Sequence, residues 1–247
     1  MIGIVAVSHS RALAEAAVEL ALQMGGGSPP RVRIAAGGPD GDLGTDAVAI
    51  AEAIDEADAG DGVLVLMDLG SAILSAETAL EFIADADRVT LSPAPFVEGL
   101  VAAVVTAAGG ADLAAVAAEV RGAAESKRRH LGDADDAGVP ASPRLATGTT
   151  GGSDDDVASF EAVIVNPSGL HARPAATFVK AASRYDADVR IVDVDAGSDE
   201  VSARSLLALM ALGVRQGARV RVSATGPQAR QVLDELRALI DDGFGEG

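Results

Sequence analysis

Short apolar runs alternate with helix-spaced segments through the first half of the chain. Residues 2–7 and 62–67 are continuous apolar runs, the pattern of strands that are buried on both faces. The expected strands are 2–7, 32–36, 62–67 and 88–91, and the expected helices are 11–24, 46–57, 72–84, 97–108 and 112–128. Thr45 is expected to cap the second helix. This alternation predicts an α/β doubly wound domain with a mostly parallel sheet over residues 1–126.

Two polar residues directly follow strands of this predicted sheet. His9 comes just after the first strand, and Asp68 comes just after the third. In doubly wound sheets the ligand site lies beyond the carboxyl ends of the strands, where the strand order reverses. His9 and Asp68 are therefore expected to meet at that edge.

The character of the chain changes at residue 127. Lys127-Arg128-Arg129-His130 ends a helix, where positive charge is favourable. Gly, Pro, Ser, Thr and Asp then dominate without any period, which predicts a flexible linker over residues 127–157. We interpret His130, at the edge of this linker, as a solvated residue.

Residues 158–247 have a different order of elements. The strands are expected at 160–165, 189–194, 200–203 and 218–224, and the helices at 172–185, 206–212 and 227–240. Ser205 is expected to cap the middle helix, which Gly213 ends. The order β-α-β-β-α-β-α predicts an α+β domain in which helices cover one face of an antiparallel sheet.

A lone histidine lies where the first strand of this domain leads into its first helix. The local sequence is Asn-Pro-Ser-Gly-Leu-His-Ala-Arg-Pro-Ala, with the histidine at position 171. Pro174 suits the first turn of a helix, and the N–H groups of Ala172 and Arg173 are then free for an anion. The Arg173 side chain adds a guanidinium fork that suits phosphate. The motif therefore predicts a phosphohistidine site.

Composition excludes several classes of function. The 247 residues contain no cysteine, so neither disulfides nor thiolate zinc sites are possible. The net charge of −18 argues against nucleic-acid and anionic-membrane partners. No apolar run reaches transmembrane length and the N-terminus lacks a basic signal-peptide start, so we expect a cytoplasmic protein. Gly37 and Gly38 do not form a nucleotide fingerprint, so we expect no ATP or ADP site in this chain.

The second domain resembles HPr, the histidine-containing phosphocarrier of the phosphoenolpyruvate phosphotransferase system. The resemblance rests on Gly169-Leu170-His171-Ala172-Arg173-Pro174-Ala175 and on the order of the elements. It implies an open-faced sandwich in which His171 is phosphorylated on Nδ1 and Arg173 stabilises the phosphoryl group. Ser205 falls on the regulatory-serine segment of that family, and its capping role remains the alternative interpretation.

The first domain resembles the mannose-type IIA family, and more closely the phosphotransfer subunits of phosphoenolpyruvate-dependent dihydroxyacetone kinases. The matching segments are residues 7–10, 44–48, 67–79 and 95–99. The resemblance implies that His9 is phosphorylated on Nε2 and that Asp68 orients the ring. The candidate hydrogen-bond donors to phosphate are Ser8, Ser10, Thr45, Gly70 and Ser71, with Ala172 at the other histidine.

Together the two resemblances imply a phosphohistidine relay, the phosphotransferase component that transfers phosphate from phosphoenolpyruvate to glycerone (dihydroxyacetone). Enzyme I, expected as a separate protein, would phosphorylate His171, which would pass the group to His9. His9 would pass it to ADP on a separate kinase subunit. The resemblance also implies a homodimer through the IIA domain, and no metal or cofactor bound by this chain. Two alternatives stay open, a IIA–HPr component of a mannose-class sugar permease and a non-enzymatic phospho-regulator.

Overall fold

Two sheets, each with its own helices, make up the part of the chain that the computed structural model describes. The described residues are 1–39, 41–124, 127–128 and 158–246. Almost all of the predicted linker (residues 129–157), including His130, lies outside them. We refer to the unit around the first sheet as the first domain and to the unit around the second sheet as the second domain.

The first sheet has four parallel strands in the order β2-β1-β3-β4. Its strands are β1 (Gly3–Ser8), β2 (Arg31–Ala36), β3 (Val63–Met67) and β4 (Val89–Ser92). Its helices are α1 (Arg11–Gly25), α2 (Ala47–Ala57), α3 (Gly70–Leu80), α4 (Phe96–Ala108) and α5 (Leu113–Arg121). Among the described residues, no helix is long and apolar enough to span a bilayer.

Helices cover both faces of this sheet. Helices α1, α4 and α5 enclose one apolar core, and α2 and α3 enclose the other. Every residue of β1 and β3 is buried, which explains their continuous apolar runs. The chain leaves β1 for β2 on one side and later adds β3 and β4 on the other side, so the strand order reverses between β1 and β3. The predicted doubly wound fold is confirmed.

The second sheet is antiparallel, in the order β5-β8-β6-β7. Its strands are β5 (Ala158–Val163), β6 (Asp188–Asp193), β7 (Val201–Ser202) and β8 (Arg219–Thr225). Three helices pack on one face around an apolar core: α6 (Ala172–Ser183), α7 (Leu206–Leu212) and α8 (Ala229–Asp241). The predicted α+β open-faced sandwich is confirmed.

Several predicted boundaries were wrong. Asp46, and not Thr45, caps α2, with its carboxylate accepting from Val48 N at 2.9 Å. Either residue type can cap a helix, so the pattern could not decide between neighbours. Helix α3 begins at Gly70 and ends at Leu80, two and four residues earlier than the expected 72 and 84. Strand β5 ends at Val163, two residues earlier than expected, because Val163 opposite Arg219 is its last pair with β8.

The second domain packs against helices of the first. Glu119 on α5 accepts hydrogen bonds through Oε1 from Ser205 Oγ and from the Leu207 backbone N–H, each at 2.9 Å. Lys180 donates from Nζ to the Met24 carbonyl at 3.0 Å. The Leu207 side chain packs against the core between α1, α4 and α5. A carboxylate from one domain therefore caps the N-terminus of α7 in the other, where a negative charge is favoured.

Glu119→Ala is expected to speed hydrogen exchange of the Leu207 amide about tenfold, because that N–H loses a charged acceptor. Exchange followed by NMR in the full chain measures this directly. Glu52→Ala is the matched control, since Glu52 is an exposed carboxylate on α2 away from the second domain. Equal exchange rates of the Leu207 amide in the unsubstituted chain, in Glu119→Ala and in Glu52→Ala would contradict this packing of the domains.

Candidate functional site

The first site is built where the strand order reverses. His9 follows β1, Asp68 follows β3, and these strands are neighbours in the sheet. His9 Nδ1 lies 2.9 Å from Asp68 Oδ1, and the His9 backbone N–H donates to Asp68 Oδ2 at 2.9 Å. Ser8 Oγ lies 2.9 Å from the same Oδ2. One carboxylate thus holds both the ring and the backbone of the histidine.

This contact assigns the two ring nitrogens of His9. A carboxylate oxygen can only accept, so Nδ1 carries the hydrogen that faces Asp68. Nε2 is then the nitrogen with the free lone pair, and Ser71 Oγ lies 2.9 Å from it. The His9 side chain is 25% exposed, whereas that of Asp68 is 6% exposed. The ring therefore presents Nε2 towards solvent and an incoming group.

Asp68 is held in its charged form by its neighbours. Burial alone would raise the pKa of Asp68, but the hydrogen bonds from His9 and Ser8 outweigh it, and the pKa lies below its ordinary value. The carboxylate therefore stays ionised at neutral pH and keeps accepting the Nδ1 hydrogen.

The other candidate residues of the first site have different positions. Ser8 is fully buried and supports Asp68, whereas Ser10 caps α1 by accepting from Leu13 N at 3.4 Å. Thr45 Oγ1 pairs with Ser75 Oγ at 2.7 Å. Gly70 and Ser71 are exposed in the first turn of α3, so their backbone N–H groups open towards the same edge. Among these candidates, only Ser71 contacts Nε2 in the described residues.

A cavity and an apolar rim border this site. The cavity has a volume of about 290 Å³ and is lined by Asp68, Gly70 and the loop 92–96. The rim consists of Leu43, Leu69 and Leu74, which are 79%, 59% and 67% exposed. Each lies within three residues of a residue that contacts His9. Exposed apolar side chains around a polar site are typical of surfaces that bind a protein.

The second site lies at the start of α6, where His171 is the N-cap residue and is exposed. The Ala175 N–H donates to the His171 carbonyl at 2.8 Å, and Pro174 has no N–H. The N–H groups of Ala172 and Arg173 have no acceptor among the described residues. They point out of the helix beside the imidazole, as the sequence motif predicts.

The loop before His171 is held by contacts that the sequence did not indicate. Asn166 is buried and donates from Nδ2 to the Gly169 carbonyl at 2.8 Å and to Glu246 Oε2 at 3.0 Å. Gly169 has φ +63°, and a Cβ there would lie 2.3 Å from the Val214 carbonyl oxygen. The loop therefore packs closely against the backbone of Val214 and Arg215, which follow α7.

Ser205 acts as a helix cap, as the simpler interpretation expected. Its Oγ accepts from Ala208 N at 3.0 Å, and the same hydroxyl donates to Glu119. No group of three or more His, Asp or Glu side chains converges as a metal site in the part of the chain that the structure describes.

Two family models match the chain. Residues 3–117 match the family described as PTS system fructose IIA component. Residues 158–242 match the family described as PTS HPr component phosphorylation site. The first match contains His9 and Asp68, and the second contains His171 and Arg173.

Two curated relatives match over the whole chain, and a third matches about a third of it. The phosphoryl donor subunit DhaM of PEP-dependent dihydroxyacetone kinase from Escherichia coli (strain K12) is 41% identical over 250 residues, which covers all of this chain and 51% of that protein. The corresponding subunit of Klebsiella michiganensis is 40% identical, again over the whole chain and 51% of the relative. The multiphosphoryl transfer protein of Haemophilus influenzae is 46% identical over 84 residues, 34% of this chain and 17% of that protein.

The chain spans about half the length of the dihydroxyacetone kinase subunits that it matches. Both family regions and both histidines lie within the shared span. Residues 3–117 are thus similar to phosphotransferase-system IIA components and residues 158–242 to HPr components, in an order that the chain shares with about half the length of the DhaM relatives.

Proposed function

We propose that this chain is a phosphohistidine relay of a phosphoenolpyruvate-dependent dihydroxyacetone kinase. Enzyme I phosphorylates His171, His171 passes the phosphoryl group to His9, and His9 passes it to ADP on a separate kinase subunit. The phosphate originates from phosphoenolpyruvate, and the relay uses no metal or cofactor of its own. The relay operates in the cytoplasm.

The observation that carries this proposal is the orientation of the His9 ring. Asp68 holds Nδ1 at 2.9 Å, which in the neutral ring puts the lone pair on Nε2, the nitrogen turned towards the open edge of the sheet. A nucleophile that attacks phosphorus needs a free lone pair in line with the leaving group. Ser71 Oγ at 2.9 Å and the first-turn N–H groups of α3 lie where hydrogen bonds to phosphoryl oxygens are needed.

The transfer step balances without a redox partner. The lone pair of His9 Nε2 attacks the phosphorus on His171, a new P–N bond forms, and the old P–N bond breaks. The His171 imidazole leaves with the electron pair of the broken bond and returns to its neutral form. Each ring keeps one hydrogen on its other nitrogen, which for His9 is the hydrogen that faces Asp68.

The partners follow from the relatives and from the surface around His9. The relatives are named as phosphoryl donor subunits, which supports a kinase subunit as the acceptor. The apolar rim of Leu43, Leu69 and Leu74 supports an acceptor that arrives on a protein surface and excludes water from the phosphoryl group. A homodimer through the first domain is part of the proposal, with the exposed Phe82 as a candidate contact.

Substitution of each histidine should separate the two steps. With labelled phosphoenolpyruvate and purified enzyme I, His171→Ala should reduce labelling of the chain to background, because the entry point is lost. His9→Ala should retain label on His171 alone. Peptide mapping under alkaline conditions, in which phosphohistidine survives, identifies the labelled residue.

Label on His9 in the His171→Ala protein would contradict this order of transfer. Label that fails to leave His9 when the ADP-loaded kinase subunit is added would contradict the final acceptor. Discharge to a sugar-permease IIB protein instead would support the permease alternative.

Asp68→Asn should slow the arrival of label at His9 roughly 10- to 100-fold, the usual effect of losing the group that orients a histidine. An amide offers one acceptor oxygen to the four donors that bond to the carboxylate, so the ring loses its fixed orientation. Quenched-flow measurement of labelled His9 and labelled His171 gives both steps in one experiment, and labelling of His171 should not change.

The matched control is Asp46→Asn, which removes the same charge from the neighbouring loop while asparagine still caps α2. An equal loss of rate in both variants would mean that charge alone, and not the contact with His9, accounts for the effect.

A further inference from the structure

The arginines of the second domain fall into two groups. Seven of the nine in residues 158–246 have an ion-pair, hydrogen-bond or other polar partner, namely Arg184, Arg190, Arg204, Arg219, Arg221, Arg230 and Arg237. The guanidinium groups of Arg173 and Arg215 have no partner among the described residues. Both of these cations lie beside His171.

Arg215 lies at the His171 cavity although it is not part of the motif. It follows α7 and Gly213, far from residue 171 in the sequence. Arg215 and His171 line the same cavity of about 390 Å³, with Leu170, Met210 and Val214 on its apolar side. A cavity of this volume has room for a phosphoryl group on the imidazole.

The backbone holds the two loops together. Leu170 N donates to the Val214 carbonyl at 3.0 Å. A Cβ on Gly169 would lie 3.0 Å from the Arg215 Cα, so only glycine permits this close approach. Main-chain contacts therefore hold the backbone of Arg215 against the loop that precedes His171.

Lys127 also lines the cavity, but its ammonium group pairs with Glu98. The Lys127 ammonium is therefore already paired. Among the described residues, Arg173 and Arg215 are the cations near His171 that remain available to an anion. A guanidinium offers several N–H donors in one plane, which suits the oxygens of a phosphoryl group.

We propose that Arg215 completes a phosphate-binding site at His171, with Arg173 and the N-terminus of α6 as its other walls. The ligand is the phosphoryl group carried by His171 itself, so the inference rests on the proposed relay. As the His171 lone pair attacks phosphorus and the donor's P–N bond breaks, the donor imidazole leaves with the electron pair. Arg215 then stabilises the negative oxygens of the transferred group together with Arg173.

The test uses the full chain with His9→Ala, so that label stays on His171. Arg215→Ala should slow phosphorylation of His171 by enzyme I and labelled phosphoenolpyruvate about tenfold, the effect of losing one charged hydrogen bond. Arg215→Lys should recover part of the rate, because it keeps the charge but loses the fork. Arg190→Ala is the control, since Arg190 is an exposed arginine of the same domain on β6.

A second arm replaces enzyme I with phosphoramidate, a small donor that has no protein surface. Arg215→Ala should slow this reaction as well. A loss confined to the enzyme I reaction would overturn the proposal, because Arg215 would then be a contact for the donor protein. Normal rates for Arg215→Ala with both donors would overturn it too.

Spectroscopy separates a phosphate contact from a structural role. In ¹⁵N NMR spectra of the His9→Ala chain, the Arg215 side-chain Nε–H signal should shift when His171 is phosphorylated, and the Arg190 signal should not. An unshifted Arg215 signal would contradict the proposal. No label on His171 in the His9→Ala chain would instead contradict the proposed relay. Labelling of His171 at a rate that does not change with Arg215→Ala would contradict only this inference.

Discussion

The Asp68 carboxylate is the contact on which the first domain's chemistry depends. It accepts hydrogen bonds from the His9 ring, the His9 backbone N–H, the Ser8 hydroxyl and the Leu69 N–H, and the first two fix the position of His9. This requires β1 and β3 to be adjacent, which a reversal of strand order at that point provides. The buried strands β1 and β3 therefore position the site, because they bring His9 and Asp68 to the same edge of the sheet.

The two histidines have different surroundings. His9 has its ring orientation set by an acid, and the free nitrogen follows from that contact. His171 has no side-chain partner among the described residues and is surrounded by helix N–H groups and arginines instead. In the proposed relay, one site selects the nitrogen that reacts, and the other supplies positive charge to the arriving phosphoryl group. These differences suit the proposed roles of His171 as phosphoryl donor and His9 as phosphoryl acceptor.

The sequence predicted both fold classes and the meeting of His9 with Asp68, because strand periodicity and the rule for reversed strand order are general. It also predicted the free N–H groups beside His171, which follow from Pro174 in the first helical turn. It named Ser71 among five candidates at His9 but could not single it out, and it did not place Arg215 at the His171 cavity. Those contacts join elements that are distant in the chain, and their distances depend on how helices pack on the sheets. The wrong cap at Thr45 has a local cause, since Asp46 beside it caps equally well.

The contact between Glu119 and the start of α7 has a further consequence for how the chain unfolds. Val105 of α4 belongs to the same apolar cluster as the core of the second domain, and Glu119 caps a helix of that domain. Melting of either domain removes stabilising contacts from the other. Calorimetry of the intact chain should therefore give one coupled transition, and cutting the connection between the domains should lower the cooperativity of melting. The pair of domains would then behave as a single thermodynamic unit.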